Sequence, residues 1–467
     1  MNASNLPQIL IVDDGGDIKS YCDRFLGNRY RYQWVDNGYD AIEAIKKSEP
    51  DLVLLDKNFT KISRSRLIGK YPENEGIAIL QKIREFSRVP VILVTSFADP
   101  VSVRSAIKLG ADDYIEWDVL DIDASLLVHR IEKVLRESRL EENLLVEKYN
   151  ALGVIGRSKP MVRVFRQIED IAKSGVTVLI IGETGTGKEV VARAIHDVSG
   201  RKPFIPVNLS ALPKELVESE LFGFRRGAFT GAHQDKPGFF EIAHGGTLFI
   251  DEVSELQREL QVKLLRVLED KAFFPLGSKC PVKVDVRLIA ATNQPLDELV
   301  KDGRFREDLY YRLKVYTIEL PTLDERKDDI PLLIDHFVSL YSKSRGFEVY
   351  SVTEEAIEYL VTQSWPGNVR QLENCILRAL TYADRILTLK DVVTAREKEI
   401  DRAVPISAEL RKVLSSMKLR DLERLAIEET LKSHNWNYTE AANSVGIGRS
   451  TLYKKAEEYG IKKKGGD

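Results

Sequence analysis

The stretch Val176-Thr177-Val178-Leu179-Ile180-Ile181-Gly182-Glu183-Thr184-Gly185-Thr186-Gly187-Lys188 decides the fold at the centre of this chain. Its apolar half reads as a strand buried on both faces, and Val190 to Val198 beyond it take helical spacing. Between them, Gly182, Gly185 and Gly187 let backbone N–H groups turn inward around an anion, and Lys188 adds a point charge. Strand, glycine loop, lysine and helix in that order make a phosphate-binding loop. Glu189 stands where the motif ordinarily carries a Ser or Thr hydroxyl for magnesium, so metal binding there leans on other groups.

Downstream, Gly245-Gly246-Thr247-Leu248-Phe249-Ile250-Asp251-Glu252 is an apolar strand ending in two carboxylates. Asp251 is suited to hold magnesium directly or through water, and Glu252 to polarise an attacking water. Strands are also expected at Val176 to Ile181 and Arg287 to Ala291, with a mostly helical stretch from Asp328 to about Val393. An α/β base carrying a helical subdomain follows.

A chain of 467 residues, 43% hydrophobic, is too long for one core and too apolar for disorder. Its net charge of -3 confines any nucleic-acid binding to one local module. Three scattered cysteines, Cys22, Cys280 and Cys375, suggest neither a disulfide framework nor a metal cluster, and no apolar run is long enough to span a bilayer. A cytoplasmic protein without a membrane anchor is expected.

The central region, Val154 to Val393, resembles the AAA+ domain of NtrC-like sigma-54 activators. The most telling peptide is Gly227-Ala228-Phe229-Thr230-Gly231-Ala232, similar to the loop with which that family touches sigma-54. Its small residues permit an exposed turn, and Phe229 with Thr230 offers one apolar and one hydrogen-bonding contact. The resemblance implies ATP and Mg2+ as ligands, with residues 182–189 cradling the nucleotide and Asn293 sensing the γ phosphate. It further implies Asn208 as the partner that holds Glu252, and Arg306 and Arg312 as arginines that reach a neighbouring subunit's ATP. Arg370, in Trp365-Pro366-Gly367-Asn368-Val369-Arg370, takes the second-sensor position. A site shared between subunits implies a homodimer assembling into a hexameric or heptameric ring.

Toward the N-terminus, Ile9 to Val12, Leu52 to Leu55 and Val91 to Val94 read as buried parallel strands of a doubly wound sheet. Asp13, Asp14 and Asp56 fall at strand ends, where carboxylates converge to bind magnesium and to present one aspartate for phosphorylation. Residues 9–137 resemble a flavodoxin-like response-regulator receiver with Asp56 as phosphoacceptor, Thr95 and Tyr114 as switch residues, and a sensor histidine kinase as partner. Two departures matter. Trp117 and Asp118 replace the family's lysine and proline, and the loop after Asp56 carries extra residues, including Lys61, Arg64, Arg66 and Lys70. Without the lysine that pairs with a phosphoryl group, two readings stand: phosphorylation at Asp56, or a degenerate receiver answering a partner or small ligand. From Leu126 to Leu145 the pattern turns helical and charged, as either a dimer-forming helix or a plain connector.

At the C-terminus, Leu419, Leu422, Ala426, Ile427 and Leu431 give one helix an apolar face. A short helix from Thr439 to Val445, the turn Gly446-Ile447-Gly448 and a third helix from Arg449 to Tyr459 have helix-turn-helix spacing. This all-α module resembles the Fis type. Ala441, Ala442, Val445, Ile447 and Leu452 form its expected core, and Arg449, Ser450, Thr451, Tyr453, Lys454 and Lys455, followed by Lys462 to Lys464, face DNA. The expected domains are therefore 1–121 (receiver), 122–151 (helical linker), 152–393 (ATPase, α/β to 327 and helical from 328), 394–418 (linker) and 419–467 (DNA reader). Together they imply an activator that binds DNA upstream of promoters and uses ATP hydrolysis to remodel sigma-54 RNA polymerase. An AAA+ machine with another protein substrate, and a DNA-bound scaffold with a vestigial ATPase, are the alternatives.

Overall fold

Two five-stranded sheets, parallel throughout, organise the first part of the chain. The computed structural model describes residues 6–26, 29–57, 75–95, 100–117, 125–345, 351–403, 419–434 and 436–461. These fall into two units, residues 1–333 with 367–369 and residues 334–366 with 370–467.

In the first sheet, β1 (Gln8–Val12), β2 (Arg31–Val35), β3 (Leu52–Asp56), β4 (Val91–Thr95) and β5 (Asp113–Glu116) lie in the order β2-β1-β3-β4-β5. That is the flavodoxin-like order expected for a receiver. Alternate residues feed opposite cores. Ile9, Ile11, Leu52, Leu54, Ile92 and Val94 pack on one face, while Leu10, Val12, Val53, Leu55, Val91 and Leu93 pack on the other.

The helix Ser125–Ala151 joins two cores. Leu127, Ile131, Val134 and Leu135 complete the receiver's hydrophobic cluster, while Leu145, Val146 and Tyr149 pack into the ATPase. The receiver's packing thus extends past the expected boundary at 121, because this helix covers one sheet face. Leu140 and Leu144, between the two clusters, stay exposed. Lys159 to Asp51 at 2.8 Å, Arg163 to Glu49 at 3.1 Å and Arg88 to Asp170 at 3.1 Å tie the receiver to the helix Lys159–Ala172.

The second sheet contains β6 (Val178–Ile181), β7 (Phe204–Asn208) and β8 (Thr247–Asp251). A two-stranded ribbon, β9 (Ala272–Phe273) with β10 (Val282–Lys283), precedes the remaining sheet strands, β11 (Arg287–Thr292) and β12 (Tyr316–Glu319). Their order is β12-β6-β11-β8-β7. Arg287, almost fully buried at the start of β11, caps the helix Lys159–Ala172 by donating to the carbonyls of Ile171 and Ala172. Because β11 separates β6 from β8, the loops after all three strands open at one sheet edge.

In the second unit, the helix Leu389–Ala403 continues through the expected linker start at 394. Its Arg396 lies over the buried Trp365 ring, 4.4 Å from the centroid, which gives that stretch a packing partner. The C-terminal module has three helices, Leu419–Ser433, Tyr438–Val445 and Arg449–Glu458. Ile427, Leu431, Ala441, Ala442, Leu452 and Ala456 form its core, with Ile447 packed against it. Ala426, expected on the apolar face, is exposed, since the buried stripe follows Ile427 and Leu431. Lys61, Arg64, Arg66, Lys70, Asp118, the linker around Pro405 and Lys462 to Lys464 lie outside the described residues, as do the side chains of Leu419, Leu422 and Val445. Among the described residues, no helix is long and apolar enough to cross a membrane.

Candidate functional site

The phosphate loop begins where β6 ends, and Gly182 N donates to Thr292 O at the end of β11. Gly185 and Gly187 have φ of 83° and 103°, the left-handed conformation in which successive amides can line a concavity for an anion. A Cβ at Gly187 would meet nothing within 4 Å, so this face of the loop is open to a ligand. Lys188 opens the helix Lys188–Ser199 and is largely buried. Its ammonium donates to Gly182 O at 2.9 Å and lies 3.6 Å from Glu252 Oε1. These residues fit a polyphosphate: donors line the loop, one cation sits at its base, and two carboxylates stand opposite.

Asp251 ends β8, and Glu252 follows at φ 56°, a left-handed turn that redirects its side chain. Burial, reinforced by the Glu252 charge, holds the Asp251 carboxyl above its ordinary range, while Lys188 opposes the shift. Asn293, just past β11, gives its backbone N–H to Glu252 Oε2 at 3.3 Å and its Nδ2 to Thr184 Oγ1 at 3.0 Å. It therefore bridges the phosphate loop and the carboxylates. Asn208 differs from expectation: its Nδ2 donates to Asp251 Oδ2 at 3.1 Å, not to Glu252. The cause is register, since Asn208 pairs with Asp251 across β7 and β8.

Arg306 and Arg312 have partners outside this group. Arg306 forms a two-pronged contact with Asp308, at 3.0 and 2.6 Å, and that carboxylate holds its guanidinium above the usual value. Arg312 is exposed and donates to Leu268 O at 3.2 Å. Arg370 belongs to the second unit and is exposed.

The peptide Gly227–Ala232 closes into a turn through Gly227 N to Ala232 O at 2.9 Å, with φ of 83° at Gly227 and 107° at Gly231. Ala232 is buried, whereas Thr230 is exposed and Phe229 is 47% exposed. The Phe229 ring rests edge-on against Phe224 at 4.9 Å. Gly277, in the neighbouring loop between β9 and β10, approaches Ala228 so closely that a Cβ would meet it at 2.8 Å, and Arg225 N donates to Leu276 O at 3.0 Å. The expected contact loop is thus an exposed turn on a fixed base.

Residues 154–319 match the Sigma-54 interaction domain and residues 324–409 an AAA+ ATPase lid domain. Residues 9–131 match the Response regulator receiver domain and 418–459 the Bacterial regulatory protein, Fis family. The Transcriptional regulatory protein ZraR of Salmonella typhimurium is 38% identical over 453 residues, covering 96% of this chain and 98% of that protein. The DNA-binding transcriptional regulator NtrC of Escherichia coli is 37% identical over 477 residues, covering 97% and 99%. The chain belongs to the NtrC-like sigma-54-dependent activators. A crystal structure of NtrX from Brucella abortus in complex with ADP, 32% identical, covers 98% of this activator and 100% of that chain with a TM-score of 0.50. The corresponding complex with ATP covers 97% and 100%, also with a TM-score of 0.50. The activator is a two-component, DNA-binding regulator of sigma-54-dependent transcription, and its central domain hydrolyses ATP.

In the activator's receiver, carboxylate oxygens of Asp13, Asp14 and Asp56 gather within 4.8 Å of one another. Asp13 is fixed by backbone donors, Gly15 N at 2.9 Å and Ile18 N at 2.8 Å. Thr95 is buried and Tyr114 half-buried. Trp117 packs edge-on against Tyr21 at 5.7 Å and joins the receiver's hydrophobic cluster, so an apolar ring occupies the position of the family's lysine.

On the activator's DNA reader, Arg449, Ser450, Thr451, Tyr453 and Lys454 are exposed. Lys455 is not equally available: it is half-buried and its ammonium pairs with Glu423, which also accepts from Tyr459 OH. Three buried polar residues went unread in the sequence. Gln261 joins Leu256 O, Arg304 O and Arg306 N, anchoring the arginine loop, while Asn368 and Arg326 reach the phosphate loop. A polar residue in an apolar helix face was the one signal for Gln261; Arg326 sits in the charged run Asp324 to Asp329, which gave none, and Asn368 lies within the peptide Trp365 to Arg370, where only Arg370 has an expected role.

Proposed function

We propose that the activator, bound upstream of promoters as a homodimer, assembles into a hexameric or heptameric ring whose ATP hydrolysis remodels sigma-54 RNA polymerase. The convergence of Lys188, Asp251, Glu252 and Asn293 at one sheet edge supports this most strongly. Loop amides and Lys188 hold the triphosphate, Glu252 orients and deprotonates the attacking water, and Asn293 reports the terminal phosphate. Asp251 would hold a Mg2+ ion, whose charge would offset that of the phosphates. Arg306 and Arg312 of one copy complete the site of the next, stabilising charge on the transferred group. The resulting motion reaches Phe229 and Thr230.

At the receiver, Asp13, Asp14 and Asp56 fit a Mg2+ that would assist phosphorylation of Asp56 by a sensor kinase. Exposed ion pairs are each worth only about 0.2–1 kcal/mol, so the contacts from Lys159 and Arg88, beside the more buried Arg163–Glu49 pair, suit a reversible docking between receiver and ATPase. With Trp117 in place of lysine, response to a partner or small ligand is the second reading. Arg449, Ser450, Thr451, Tyr453 and Lys454 face DNA, and the cytoplasm is the compartment that fits.

Mixing Lys188→Ala with Arg306→Ala chains tests the shared site. Each variant alone is inactive, and the mixture regains hydrolysis because intact loops meet intact arginines. A mixture as inactive as its components rules out arginine supply across subunits.

A further inference from the structure

Asn368 is wholly buried behind the phosphate loop, with its backbone at φ 53°. Its Nδ2 donates to Thr184 O at 3.2 Å and to Glu183 Oε2 at 3.0 Å, and its Oδ1 accepts from Leu323 N at 2.8 Å. A second buried side chain reaches the same loop: Arg326, 3% exposed, donates to Thr186 O at 2.8 Å. Neither the loop motif nor the paired carboxylates gives these residues a task.

Peptide geometry supplies one. In a trans peptide the C=O of one residue and the N–H of the next point in opposite directions. Drawing Thr184 O back toward Asn368 turns the Gly185 N–H forward, and drawing Thr186 O toward Arg326 does the same for the Gly187 N–H. Both glycines have the left-handed φ of an anion-binding nest. We propose that Asn368, assisted by Arg326, is a positioning residue for ATP, aiming the loop's amides at the phosphates without touching the nucleotide. The proposal rests on the ATP-binding reading of the loop.

A different task would be served by the backbone alone. Asn tolerates a left-handed φ, and glycine tolerates it better. Asn368→Gly therefore keeps the conformation and deletes the three side-chain bonds. Asn368→Asp keeps the shape but cannot donate when ionised.

The test is ATP titration and steady-state hydrolysis on the full chain, with cooperative melting as the folding control. Wild type binds ATP and Lys188→Ala does not; failure of that pair overturns the ATP-site reading itself. Given that pair, both Asn368 variants are expected to melt cooperatively, with the Kd and KM for ATP raised about ten-fold and kcat changed less. Wild-type Kd and KM in Asn368→Gly overturn the proposal and leave Asn368 a backbone role. Loss of binding accompanied by loss of cooperative melting in both variants also overturns it, because Asn368 then belongs to the fold.

Discussion

The ammonium of Lys188 lies 3.6 Å from Oε1 of Glu252, across the mouth of the phosphate loop. Both side chains are mostly buried, so the lysine is already directed to the place where phosphate charge must be met. Glu252 has the reach and charge of a base for water. Glu252→Gln is expected to lower ATP turnover about 10²- to 10⁴-fold while ATP still binds. Turnover and ATP titration on one preparation check this, and turnover within a few-fold of wild type removes Glu252 from the base role.

Gly277 sits against the contact turn. A Cβ there would lie 2.8 Å from that of Ala228, and its φ of +75° disfavours any side chain. Gly277→Ala is expected to displace the turn and cut sigma-54-dependent transcription about ten-fold, leaving ATP hydrolysis within about two-fold, because strain of roughly 1–2 kcal/mol falls on the turn and not on the phosphate loop. Equal losses in both assays would show that the two loops are not separable.

Asp251 is held above the ordinary carboxyl range by burial and then by Glu252. A folded-state value above the unfolded one means that ionisation opposes folding: the favourable contribution is full below the unfolded value and is lost as pH rises through the folded one. Asp251→Asn is expected to melt higher than wild type at pH 8 while losing hydrolysis. The gap should narrow as the pH is lowered into the carboxylate range. A lower melting point for the variant at pH 8 contradicts this electrostatic reading.

The central strands were legible in the sequence and the edges were not. β1, β3 and β4, and likewise β6, β8 and β11, stand out as apolar runs because both faces are covered. The missed strands β2, β5, β7 and β12 are the four sheet edges, with sequences such as Arg31-Tyr32-Gln33-Trp34-Val35 and a proline within β7. Site residues divide in a similar way. Lys188, Asp251, Glu252 and Asn293 follow strands, so their meeting could be read from order along the chain. The Asn208 pairing depended on register, Lys455 on a distant Glu423, and Asn368 on partners far away in sequence, none of which local spacing encodes.

Transcription in vitro from a sigma-54 promoter with ATP, comparing wild type with Lys188→Ala and Thr230→Ala, tests whether hydrolysis at the Lys188 loop drives polymerase remodelling through the turn that carries Thr230. Both variants are expected to lose activation, with Thr230→Ala still hydrolysing ATP and Lys188→Ala not. Wild-type activation by either variant contradicts it.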